Sequence, residues 1–261
     1  MTIGFLVGSY LTESKHYDSL IQCLTSILTF HSNPIIVIFN SLSTKSLTQK
    51  AIETYKTTPQ VTIIIDPSEI SACNLVYKYL YEKKYFDTSI ILQDSMFLNK
   101  PLPLTDLEKN EVMFLWHCTN HRVHWSAIKE PITEYNKAHN IFTHDDLILD
   151  AIHSYSSKSE FVKFCENNYH QKHLWVGAFG FCSIIQTSFL EKLESQTGIL
   201  NILINMNNNR QRRASESIFP LACNFTLGRN ITDSFDGLYY DGIAYSNNNT
   251  GTYFSKISFG R

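Results

Sequence analysis

Ile90-Ile91-Leu92-Gln93-Asp94-Ser95 is an apolar, β-branched run that stops at an amide and an acid. Such a run reads as a buried strand whose end carries chemistry. Three runs of the same kind precede it. Ile3–Val7 ends at Gly8-Ser9-Tyr10, Ile35–Phe39 at Asn40-Ser41, and Val61–Ile65 at Asp66-Pro67. Helical spacing lies between them: Leu20, Cys23, Leu24, Ile27 and Leu28, then a weaker phase over 47–55, then 70–81. Strands apolar on both faces and alternating with helices predict an α/β fold, with a mostly parallel central sheet covered on both sides. In such sheets ligands bind beyond the carboxyl ends of the strands, so the residues that close each run are the candidate site.

Beyond Pro103 the pattern changes. Residues 112–117 read as one further strand, and helical phases fall near 145–155 and 160–165. Residues 174–185 form a glycine-punctuated apolar segment. Thr187 or Ser188 is placed to cap a helix over 187–193. Residues 214–223 read as a short helix despite Pro220, and the tail from Asn224 reads as loop. The expectation is one domain over 1–261, in two halves at 1–105 and 106–261, the second including the C-terminal tail.

Composition narrows the function classes. Lys and Arg number 22 against 24 Asp and Glu, so the chain lacks the basic field of a nucleic-acid binder. The short basic run Arg210, Arg212 and Arg213 reads as a solvated loop. The six cysteines are scattered without a CxxC pair, and are read as reduced core residues of a cytoplasmic protein. The start of the chain reads as a strand and not as a signal peptide, and no apolar run is long enough for a membrane span. His117, His121 and His124 read as metal ligands or, in a chain with ten His, as a chance cluster, and the chance cluster is the favoured reading.

The first hundred residues resemble the nucleotide-binding half of GT-A-fold glycosyltransferases of the family-2 type. The resemblance rests on the order of pieces: the first strand ending in Tyr10, the helix with Tyr17, Leu20, Cys23-Leu24 and Ser26-Ile27-Leu28, the second strand ending in Asn40 with Ser43-Thr44, the segment Ser71-Ala72-Cys73-Asn74, and Gln93-Asp94-Ser95. Gly177-Ala178-Phe179-Gly180 resembles the segment of that fold that faces the acceptor, and Arg213 and Glu216 resemble its acidic helix.

The resemblance implies a nucleotide-sugar donor and a glycan, glycoprotein or other hydroxyl acceptor. It places Gly8, Ser9, Tyr10, Asn40, Asp66, Asn74, Gln93, Asp94 and Ser95 around the donor. It gives Asp94 the first position of the DxD signature and Glu216 the general base. Trp175, Gly177 and Phe179 fall to the acceptor, and Lys256 and Arg261 to the diphosphate. It also implies Mn²⁺ or Mg²⁺ held at Asp94. Two positions depart from the family pattern. Phe39-Asn40 stand where an acid follows the second strand, and Met96 replaces the second DxD acid. A thioether is a poor ligand for hard cations.

The residues themselves leave alternatives open. Asp94 reads also as a helix or turn cap, and Glu216 as a surface acid paired with Arg on its helix. Asp145 and Asp146 are rival carboxylates or a helix cap. The aromatics near Gly177 read also as core, and Lys256 and Arg261 as a loose tail. A non-catalytic nucleotide-sugar-binding relative is the rival class. A nucleotidyltransferase shares the sheet logic but would want a Gly-rich loop with a Lys after the first strand.

Overall fold

The structure is a computed structural model that describes residues 1–107, 109–118, 144–169, 171, 176–178, 181–206, 209–232, 235, 238–240, 248–250 and 253–257. Its strands are β1 (Ile3–Ser9), β2 (Ile35–Phe39), β3 (Val61–Ile65), β4 (Thr88–Gln93), β5 (Met96–Leu98), β6 (Val112–Phe114), β7 (Trp116–Cys118), β8 (Gly177–Ala178), β9 (Ser183–Gln186), β10 (Leu238–Tyr240), β11 (Asn248–Thr250) and β12 (Phe254–Ile257). Its helices are α1 (Ser14–Phe30), α2 (Lys45–Tyr55), α3 (Ala72–Lys83), α4 (Leu104–Leu107), α5 (His144–Tyr155), α6 (Ser159–Asn168), α7 (Thr187–Thr197), α8 (Ile199–Ile204) and α9 (Asn209–Leu227).

Six strands form the central sheet in the order β3-β2-β1-β4-β9-β6. The first four run parallel, and β9 is antiparallel to both β4 and β6. This is the α/β architecture expected of the sequence. The alternation of side chains divides the core in two. Phe5 and Val7 of β1, Val37 of β2 and Leu92 of β4 pack on one face with Leu20, Cys23, Leu24 and Ile27 of α1. Leu6, Ile38 and Ile91 pack on the other with α3, α5, α7 and α9. Buried residues on both faces explain why these runs carry no polar alternation.

Several expectations are corrected. The strand expected over 112–117 is two strands, broken at Leu115. β6 stays in the central sheet, and β7 leaves it to pair with β8 and β10. The Thr187 hydroxyl does not cap α7. It donates to the Phe86 carbonyl instead, locking β9 to the strand beside it. The helix around Pro220 is far longer than expected, running over Asn209–Leu227. Nor is the tail mere loop: β12 pairs antiparallel with β5, with Lys256 opposite Met96. Among the described residues, no helix is long and apolar enough to cross a membrane.

Candidate functional site

The parallel register sets the site. Gly8 of β1 stands beside Gln93 of β4, so the ends of the two central strands open at one place. A Cβ on Gly8 would lie 2.8 Å from the Ala72 carbonyl oxygen. Only glycine lets the first turn of α3 approach this closely. Asp94 follows β4 directly and is buried. Its Oδ2 accepts the Ser9 hydroxyl at 2.9 Å and the Tyr10 amide at 3.3 Å. Its amide donates to the Gly8 carbonyl at 3.3 Å, and its carbonyl accepts the Ser19 hydroxyl at 3.0 Å. The acid therefore binds the loop after β1, as a turn cap would, while standing at the ligand edge of the sheet.

Gln93 reaches in two directions. Its Nε2 donates to the Cys73 sulfur at 3.4 Å, and its Oε1 accepts the Lys256 ammonium. Lys256 is buried, held by the β5–β12 pairing and by the Ile257 amide, which donates to the Ser95 carbonyl at 3.0 Å. The C-terminal strand thus delivers a cation to the residue that precedes Asp94. Glu216, from α9, is buried as well. Pro220 lacks the N–H that the Glu216 carbonyl would accept in an unbroken helix, so Glu216 lies at an interruption of the hydrogen-bond ladder.

Cys182 joins these groups. Burial pushes its thiol up to about 12. The Lys256 ammonium opposes that shift, and Cys73 and the Glu216 carboxylate add to it. Both Lys256 and Glu216 therefore act on one buried sulfur from separate elements. Cys73, Cys182 and Ser19 belong to the site's frame, and the sequence carries no signal that separates them from core residues.

The rest of the expected donor wall forms a polar rim beyond β2 and β3. Asn40 donates to the Ile70 carbonyl at 3.1 Å and accepts the Ser43 hydroxyl at 3.4 Å. The carboxylate of Asp66 accepts the Ser68 amide at 2.8 Å and the Tyr79 hydroxyl at 3.0 Å, with the Lys78 ammonium at 3.9 Å. Tyr10 is exposed and Ser95 is buried. Asn74 donates to the Leu203 carbonyl at 2.7 Å, a contact between α3 and α8. Gly177 is buried in β8 beside Cys118. Trp175, Phe179, Arg261, His121 and His124 lie outside the described residues, as do the side chains of Arg213, His117, Asp145 and Asp146.

Asp66 supplies a pH test of the rim. Burial pushes its carboxyl up, but the hydrogen bonds from Ser68 and Tyr79 and the Lys78 charge outweigh that, and its pKa falls below the ordinary 3.8. A depressed folded pKa gives stability that is fully present above the unfolded value and is lost as pH falls through the folded one. Urea midpoints taken from neutral pH into acid should drop more steeply below pH 3.8 in the parent than in Asp66→Asn. Parallel curves would show that Asp66 has no such preference for its charged form.

No family model matches the chain, and no curated protein matches it. Solved structures similar to it include the WbbM bifunctional glycosyltransferase in its apo form, at 11% identity over 82% of this chain and 37% of that one, with a TM-score of 0.45. Residues 1–349 of S. aureus TarS are 12% identical over 92% of this chain and 60% of theirs, with a TM-score of 0.45. The same protein in complex with UDP-GlcNAc gives 12% identity over 80% and 55%, with a TM-score of 0.39. The chain spans between 37% and 60% of the length of these structures.

Proposed function

We propose that this chain is a glycosyltransferase that moves a sugar from a nucleoside diphosphate donor to an acceptor hydroxyl, with inversion. The observation that carries the reading is the placement of Gln93 and Asp94 at the end of β4, with the Lys256 ammonium from β12 on Gln93, at the carboxyl edge of a mostly parallel sheet. A fold of this class binds ligands at that edge. The groups brought there match what the transfer needs.

In the reaction the acceptor oxygen bonds to the anomeric carbon while the bond from that carbon to the diphosphate breaks. The electron pair leaves on the diphosphate, and the acceptor proton passes to a base. The leaving oxygen gains negative charge, which a fixed cation stabilises. Lys256 is the candidate for that role and Glu216 for the base. Ser9, Tyr10, Asn40 and Asp66 line the rim where the nucleoside would rest, and Gly177 lies on the acceptor side.

Thermal unfolding against UDP, GDP, CDP, ADP and their common sugar derivatives tests the reading. A ligand that binds the native state alone raises the apparent midpoint. We expect one base to give a shift, and its sugar derivative to release the diphosphate when glycan acceptors are added. Binding without release would identify a non-catalytic nucleotide-sugar-binding protein. No shift with any of them would remove the reading.

A further inference from the structure

The family resemblance implies a divalent ion at Asp94, but the donor set there does not suit one. Hard divalent cations take roughly six or more oxygen ligands, of which one or two carboxylates supply the protein's share where substrate phosphates and waters complete the set. Asp94 is the one acid between β4 and β5, and its Oδ2 already accepts the Ser9 hydroxyl and the Tyr10 amide. The second acid's position is Met96, which is fully buried among the apolar residues packed on α1. Among the described residues, no group of three or more His, Cys, Asp or Glu converges to hold a metal.

A cation of the chain's own stands at this place. Lys256 is directly opposite Met96 in the antiparallel β5–β12 register. Residues so paired share one face of the sheet, with Cβ atoms about 5 Å apart. The Lys256 ammonium donates to Gln93, the neighbour of Asp94. An acid at position 96 would face this ammonium and pair with it, whereas a thioether does not.

Resting on the nucleotide-sugar reading, we infer that the chain holds its donor diphosphate with the Lys256 ammonium, positioned by Gln93, and needs no divalent ion to do so. The ammonium donates hydrogen bonds to the bridging and terminal phosphate oxygens, and takes the charge that develops as the diphosphate leaves. The C-terminal strand is then part of the active site and not a loose end.

Calorimetric titration of the whole chain with UDP, GDP, CDP and ADP, in excess EDTA and separately in MnCl₂, tests this. We expect the nucleotide that binds to do so with the same Kd in both. Lys256→Gln should weaken it about tenfold to a hundredfold, as loss of a hydrogen bond to a charged group does, and Lys256→Arg should restore most of the loss. Circular dichroism and the thermal midpoint establish that each variant is folded. Binding that requires Mn²⁺ would overturn the inference and leave the donor site standing, an outcome read on the unaltered protein alone. An unchanged Kd in folded Lys256→Gln would also overturn it. Failure of all four nucleotides in both solutions would overturn the inference together with the donor site itself.

Discussion

Glu216→Gln is expected to lower sugar transfer by about 10²–10⁴-fold, the contribution typical of a positioned general base, while nucleoside diphosphate binding stays unchanged. Gln fills the same space and accepts hydrogen bonds, but it cannot take the acceptor proton. The side chain is buried on α9. A surface acid paired along its own helix would be exposed, and its loss would cost a few tenths of a kcal/mol of stability and no turnover. The measurement is release of nucleoside diphosphate from the donor sugar, beside the thermal shift given by the nucleotide alone. Full transfer by the variant would remove Glu216 as the base. Loss of nucleotide binding would instead assign it to the donor.

The four parallel strands were legible because each holds a short, mostly apolar run closed by a turn or polar residue, and the sheet is covered on both faces at β1, β2 and β4. The same signal misleads at β3. Val61–Ile65 reads as fully buried, but β3 is an edge strand and Ile65 is exposed. Composition cannot tell an edge from a centre when the strand is short. β9 was hidden in the glycine-punctuated segment. It has four residues, and its partners in β4 lie far back in the chain, so local periodicity carries no trace of the pairing. The site divides in the same way. Asp94 was visible because an acid directly after a buried strand is a local fact. Its neighbour Gln93 gains its meaning from Lys256, which is 163 residues away and arrives through the register of two short strands. Cys73 carries the letter of a core residue, and only its tertiary contact with Gln93 sets it apart.

The site also depends on an aromatic cluster beneath it, and Phe219→Ala should destabilise the protein by about 3–5 kcal/mol. Phe219 is fully buried one helical turn from Glu216. Its ring centroid lies 4.7 Å from Tyr77, 5.8 Å from Phe181 and 6.1 Å from Phe114. Truncation removes all three contacts and leaves a cavity that rigid neighbours can only partly fill. Phe181 gives the cluster a second task. Its φ of 59° is in the left-handed region, which side-chain-bearing residues rarely adopt. The conformation is held by the Tyr77 hydroxyl, which donates to the Phe181 carbonyl at 2.7 Å and accepts from Ser183, and by the packing of Phe219 against the Phe181 ring. Cys182 follows immediately, so the corner that the cluster braces also fixes the position of that buried thiol. Urea unfolding should show a lower midpoint with an unchanged slope. Phe219→Leu, which fills most of the space, should cost about 1.5 kcal/mol or less. Because the cluster supports the corner, Phe219→Ala should also slow transfer at temperatures where it is still folded, and Phe219→Leu should slow it less. A loss below about 1 kcal/mol in Phe219→Ala would mean the corner is braced elsewhere, because a fully buried aromatic in a rigid core cannot be truncated so cheaply.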